Sequence, residues 1–202
     1  MKLYYATGAC SLSPHIALRE AGIPFDLVKV DLRAKRTEAG DDFKAINPRG
    51  YVPVLELTDG RRLTEGPAIV QYIADSAPQH ELAPAAGSFD RYRLQEWLNL
   101  ISTELHKQYS PLFDPAADDA VKARQRERIG TRLDWIQADL GPRDYLMGKF
   151  TVADAYLYTV LRWSRLVGID LARWPALVAY QARVEARPAV QAALRAEGML
   201  KD

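Results

Sequence analysis

The sequence predicts an α/β unit followed by an all-helical one, and three observations carry that reading. Strand-like stretches fall within the first 64 residues, in the order β–α–β and then β–β–α. A run of prolines, glycine and small residues, Ala77-Pro78-Gln79-His80-Glu81-Leu82-Ala83-Pro84-Ala85-Ala86-Gly87-Ser88, then breaks the composition. Beyond it, apolar residues recur at helical spacing and strand signals nearly vanish. The expected organisation is a domain over residues 1–77 with a four-stranded mixed sheet, a linker over 78–87 and an all-α domain over 88–202.

Met1 to Tyr5 reads as the first strand. A helix follows over about 11–21, with Ser11 and Ser13 as N-cap residues, Pro14 in the first turn and Gly22 as the stop. Phe25 to Val30 alternates as a strand, so the first thirty residues form a βαβ unit with a parallel pair. Arg33 to Gly40 is polar and reads as a loop. Asp42 to Ile46 forms a short helix that ends before Asn47-Pro48, because the residue before proline avoids the α conformation. Val54–Leu57 and Arg61–Thr64 form a hairpin around a two-residue Asp59-Gly60 turn. Thr64-Glu65-Gly66-Pro67 opens a helix that buries Ile69, Val70, Tyr72 and Ile73.

In the second half, Phe89 to Tyr109 is one helix that stops at Ser110-Pro111. Val121, Ile129, Leu133, Ile136 and Leu140 mark another, ended by Gly141-Pro142. Thr151-Val152-Ala153-Asp154 has the form of an N-capping box. The stretch from Val152 to Trp163 is apolar on nearly every side, the pattern of a buried central helix. Pro175 to Ala186 and Pro188 to Ala196 are two short helices opened by proline.

The net charge is +1, with ten basic and ten acidic residues in 1–77, so no charge asymmetry points to nucleic acid or an anionic membrane. One cysteine excludes an internal disulfide and suits a reducing cytoplasm. No signal-peptide pattern and no run of about 18 apolar residues is present, so no membrane partner is expected. That cysteine, Cys10, falls at a helix N-terminus. There the dipole and unpaired N–H groups favour an anion such as a thiolate, and cysteines so placed have pKa values of roughly 3.5–7.5. A small buried residue is the plain alternative. The three histidines are too scattered to make a metal site with one cysteine. His15 and His80 have no partner legible in the sequence.

Three blocks carry a family resemblance. They are Thr7-Gly8-Ala9-Cys10-Ser11; Asn47-Pro48 through Val52-Pro53 with Leu63-Thr64-Glu65-Gly66; and Phe150-Thr151-Val152-Ala153-Asp154. With them the whole chain resembles a cytosolic glutathione transferase, a thioredoxin-like domain followed by a helical one. Ser102-Thr103-Glu104-Leu105-His106-Lys107 narrows the likeness to the bacterial, cysteine-containing beta class. Gly66 stands where most transferases have Ser or Thr, which removes a hydroxyl contact but leaves the backbone N–H.

The resemblance implies glutathione as co-substrate, no metal, a small hydrophobic electrophile as second substrate, a homodimer and a cytoplasmic location. Cys10 and His106 are the implied catalytic pair, with Ser11 beside the thiol. Val52, before a Pro53 expected to be cis, would pair with the cysteinyl backbone like an added strand. Glu65 would take the γ-glutamyl ammonium, the N–H groups near Gly66 its carboxylate, and Lys35 the glycyl carboxylate. Asn99, Thr103, Glu104 and His106 lie on one predicted helix, and 99, 103 and 106 share a face by the i, i+4, i+7 spacing. The resemblance implies that this face closes the cleft from the helical domain or a second subunit. Phe113, Tyr109, Trp163 and Leu166 are candidates to line the electrophile pocket.

Each residue also has a plainer reading. Lys35 in a basic loop is usually solvated. Glu65 is favoured anyway as a helix N-terminal charge. His106 taken alone reads as a satisfied polar residue, and Tyr4 and Tyr5 read as packing. At the level of function, a glutathione-dependent reductase, dehalogenase or peroxidase, and a non-catalytic binding protein on the same fold, are the alternatives.

Overall fold

The computed structural model describes residues 1–200 and divides into two compact units, Met1–Ala83 with the residues from Arg187 onward, and Pro84–Ala186. In the first, β1 (Lys2–Tyr5) and β2 (Asp26–Asp31) pair in parallel and are joined by α1 (Leu12–Glu20). β4 (Val54–Glu56) pairs antiparallel with β1, and β5 (Arg62–Thr64) pairs antiparallel with β4. α2 (Phe43–Ile46) precedes β4, with Asp42 accepting from the Lys44 N–H as its cap, and α3 (Gly66–Ser76) follows β5.

The sheet has five strands in the order β3-β2-β1-β4-β5, one more than expected. The addition, β3 (Arg36–Thr37), lies within the stretch read as a loop and pairs antiparallel with β2. Two residues are too few to show a period-2 pattern, so an edge strand this short leaves no sequence signal. The hairpin also differs. Leu57 N–H donates to the Arg61 carbonyl and Gly60 N–H to that of Leu57, so Thr58, Asp59 and Gly60 form a three-residue loop. Gly60, at φ +84°, supplies the left-handed position such a loop needs.

Side chains alternate across β1. Leu3 faces Leu55, whereas Tyr4 pairs with Val54 and belongs to a cluster with Val30, Phe43 and Val52. Leu3, Tyr4 and Tyr5 are all buried, as expected of a strand covered on both faces. Full burial of Phe43 contributes about 2–3 kcal/mol and fastens α2 to the sheet. On the opposite face α1 packs against α3.

The last helix, α9 (Pro188–Ala196), packs on α1 and therefore groups with the sheet unit, where the division read from sequence put it with the helical half. Arg187 reaches Glu20 bidentately, Nε to Oε1 at 2.6 Å and Nη2 to Oε2 at 2.9 Å. Proline at the helix start is a local signal, but the face that α9 buries against is not written locally.

The helical unit contains α4 (Phe89–Leu100), α5 (Lys107–Phe113), α6 (Asp119–Leu140), α7 (Val152–Leu161) and α8 (Pro175–Glu185). Ser88 and Asp118 cap α4 and α6 through their side chains. Every residue of α7 is buried, as its apolar pattern predicts. The expected single helix over 89–109 is interrupted by a π-helical turn, Ile101–His106, and then runs through Pro111 to Phe113. A proline removes the hydrogen bond to the residue four before it, and the helix ends at Phe113, two residues beyond Pro111. Among the described residues no helix is long and apolar enough to cross a membrane.

Candidate active site

The β1–α1 turn is braced from three sides. The buried Ser11 hydroxyl accepts from the Ala6 N–H at 3.1 Å and donates to the Ala6 carbonyl at 3.2 Å. Gly8 N–H donates to the Glu197 carboxylate at 2.9 Å. The Cys10 thiol donates to the Val52 carbonyl at 3.3 Å. Ser11 thus ties the start of α1 back to the end of β1 and shapes the turn that carries Cys10. Cys10 lies two residues before α1, and its carbonyl accepts from the Ser13 N–H in the first turn. Cys10 therefore stands at the positive end of the helix.

Val52 precedes a cis peptide bond to Pro53, as the resemblance implied. Asn47 holds this loop: its side-chain amide donates to the Tyr51 carbonyl at 2.8 Å and its oxygen accepts from the Arg49 N–H at 3.3 Å. Lys35 is half-buried. Its Nζ donates to the Gly50 carbonyl at 2.9 Å and stands 5.6 Å from the centre of the Tyr51 ring. Its cation is thereby held two residues from Val52 and not merely solvated.

Glu65 precedes α3 with φ +68° and ψ +113°, a region non-glycine residues rarely occupy and which costs about 1–3 kcal/mol. Its backbone carbonyl accepts from the N–H groups of Ala68 and Ile69, both at 3.0 Å, which fixes that conformation. Its carboxylate is 73% exposed, 3.8 Å from Arg49 Nη1. Gly66 begins the helix and Pro67 carries no N–H, so the start of α3 is open and positively polarised. Cys10, Lys35, Val52, Pro53, Glu65 and Gly66 all belong to the sheet unit.

The remaining candidates belong to the helical unit, around the π turn. π turns widen a helix locally and recur at functional sites. The wider turn also alters the face expected from regular spacing. Asn99 and Thr103 are exposed, with the Thr103 hydroxyl donating to the Asn99 carbonyl at 3.0 Å. Glu104 is not a free carboxylate: Arg132 Nη2 donates to it at 3.0 Å. Arg132 lies 28 positions away on α6, and no motif in the sequence pairs the two.

His106 Nδ1 is 2.6 Å from the Tyr156 hydroxyl, and the ring packs edge-on against Trp163 with centroids 4.8 Å apart. Burial, with a smaller contribution from Lys107, lowers its pKa from the ordinary 6.5 to about 4. At neutral pH that burial favours the uncharged imidazole, a hydrogen-bonding group. Phe113 packs on the other edge of Trp163 and is 50% exposed, and Leu166 is 65% exposed. Tyr109 is buried completely, with its hydroxyl on Ser164, so it cannot line an open pocket as expected.

The depressed pKa has a consequence for stability. Between about pH 4 and 6.5 the unfolded chain binds a proton at His106 that the folded chain refuses. This contribution is complete above 6.5 and lost as pH falls towards 4. We expect urea midpoints to fall over that window in the wild type and to fall less in His106→Gln, by at most about 3 kcal/mol between the extremes.

The buried pair His15 and Glu197 was not legible in the sequence. His15 Nδ1 lies 2.8 Å from Glu197 Oε1, and Arg19 Nε donates to His15 Nε2 at 2.9 Å. The pair is separated by 182 positions, and only the packing of α9 on α1 brings it together.

Comparison with known proteins agrees with this layout. Residues 7–76 match the family model described as glutathione S-transferase, N-terminal domain, and residues 100–188 match glutathione S-transferase, C-terminal domain. The chain is 48% identical over 200 residues to glutathione S-transferase GstA of Escherichia coli O157:H7, covering 98% of this chain and 100% of that protein. A solved sphingomonad glutathione S-transferase complexed with glutathione is 52% identical, with a TM-score of 0.96, covering 99% of this chain and 100% of that one. A bacterial beta-class glutathione S-transferase from Sphingomonas chungbukensis is 46% identical, again with a TM-score of 0.96 and coverage of 99% and 100%.

Proposed function

The chain belongs to the glutathione S-transferase family and is a glutathione transferase of the bacterial beta type, and we propose that its glutathione lies along the Cys10–Val52–Glu65 edge of the sheet unit. The observation that carries this reading is the 3.3 Å contact between the Cys10 sulfur and the Val52 carbonyl. It sets the only thiol of the chain against the main chain that an extended peptide would pair with. The glutathione cysteine extends along Val52, which brings its sulfur beside Cys10. Its γ-glutamyl ammonium meets Glu65, and the adjoining carboxylate meets the open start of α3. Lys35 meets the glycyl carboxylate as a point charge.

In the reaction, the bound thiol gives up its proton to water and the thiolate attacks an electrophilic carbon, whose leaving group departs as a thioether forms. Phe113, half exposed and packed against the buried Trp163, offers an aromatic surface suited to a hydrophobic electrophile. By family we also propose a homodimer and a cytoplasmic setting, and no metal takes part in the reading.

Glu65→Ala removes the ammonium partner while leaving the backbone of α3 intact. The expected result is a rise in KM for glutathione of about tenfold or more, with an unchanged thermal midpoint. The test of the function itself is formation of the thioether from glutathione and 1-chloro-2,4-dinitrobenzene, followed together with retention on immobilised glutathione. Absence of both with folded protein overturns the reading.

A further inference from the structure

The carboxylate of Glu197, just beyond the end of α9, is fully buried and accepts two hydrogen bonds. Oε2 takes the Gly8 N–H at 2.9 Å, and Oε1 lies 2.8 Å from His15 Nδ1. Arg19 can only donate, so its 2.9 Å bond to His15 Nε2 requires that nitrogen to be the acceptor. The imidazole proton is therefore on Nδ1 and points at Glu197. Each carboxylate oxygen has one donor, and the chain of bonds runs from Arg19 through His15 and Glu197 to the turn that carries Cys10. The segment after α9 presses on the same turn. Gly8 has φ +70°, and a Cβ there would meet Met199 Sδ at 3.2 Å.

We propose that Glu197 is a positioning residue for the Cys10 turn. It acts through the Gly8 amide, with His15 holding its second oxygen. The Ser11 hydroxyl and the Ala9 N–H tie the turn to Ala6, Cys10 rests on the Val52 carbonyl, and the Gly8 amide anchors the stretch between them to Glu197. In its bearing on glutathione the inference rests on the site assigned above.

Glutamine at 197 preserves shape but has one oxygen, and it cannot accept from both Gly8 and His15. Arg187→Ala loosens the opposite end of the same helix without touching the turn. Two quantities are read in wild type, Glu197→Gln and Arg187→Ala: the rate of Cys10 alkylation by iodoacetamide, and KM against kcat for glutathione conjugation. We expect Glu197→Gln to change the alkylation rate by at least about threefold and to raise KM more than it lowers kcat. Arg187→Ala lowers the thermal midpoint and leaves both quantities within about twofold. Values in Glu197→Gln within that same range, or an equal shift in Arg187→Ala, overturn the proposal. If Glu197→Gln does not fold, amide exchange at Gly8 in the wild type decides: the proposal requires protection comparable with α1, and exchange at the rate of an open loop refutes it. A wild type that fails to bind glutathione defeats the site assignment, while the alkylation comparison still judges Glu197.

Discussion

Replacing Asp154 with alanine is expected to cost about 3–5 kcal/mol of stability, a large part of the roughly 5–15 kcal/mol that holds a folded protein together. The carboxylate is buried at the start of the central helix α7 and accepts four hydrogen bonds. They come from Leu146 N–H at 2.9 Å, Thr151 N–H at 2.8 Å, the Thr151 hydroxyl at 3.0 Å and the Tyr180 hydroxyl at 3.0 Å. Alanine leaves two backbone donors and two hydroxyls buried without the acceptor they share. It also unties α7 from α8 and from the loop before it. Asparagine keeps one carbonyl oxygen and should lose about half as much. Urea unfolding of the three proteins checks this, and a loss below about 1 kcal/mol for alanine contradicts it.

The largest functional effect is expected from Cys10→Ala. The sulfur hydrogen-bonds to the Val52 carbonyl and lies at the positive end of α1, where a thiolate is favoured. With glutathione disulfide, the Cys10 thiolate attacks one sulfur, a mixed disulfide forms and one glutathione leaves as the thiolate. Alanine abolishes that exchange completely, since the chain has no second cysteine. Conjugation uses the thiol of glutathione itself and should persist within about tenfold, because the proposed contacts of Val52, Glu65 and Lys35 are left in place. Both activities are measured on the same variant. Loss of conjugation by several orders of magnitude means that Cys10 is indispensable to it, contrary to this account.

What was legible in the sequence was what local chemistry dictates. Pro67, Pro175 and Pro188 open helices, Thr151 and Asp154 form the expected capping box, and the all-apolar run after Val152 is the buried helix it resembles, whereas Ser11 makes no side-chain cap bond to α1. Cys10, Val52 and Glu65 stand beside element starts that local signals mark, whereas the roles proposed for them and for Lys35 come from the family resemblance alone. What remained hidden depends on partners distant in sequence or on geometry too short to repeat. β3 has two residues, and the π turn is a single widened turn inside an otherwise regular helical pattern. The Glu104–Arg132 pair was hidden because its members belong to different helices, and the Ser11–Ala6 bonds because the partner of a turn hydroxyl has no sequence signature. The unusual backbone of Glu65 is likewise absent from the sequence, where a glutamate before Gly-Pro reads as an ordinary helix start.

The account depends on where glutathione lies, and a crystal structure of the protein with glutathione bound measures that directly. It should place the cysteinyl backbone of the tripeptide alongside Val52, its sulfur next to Cys10 and its ammonium on Glu65. Glutathione found elsewhere, with Val52 and Glu65 untouched, would contradict it.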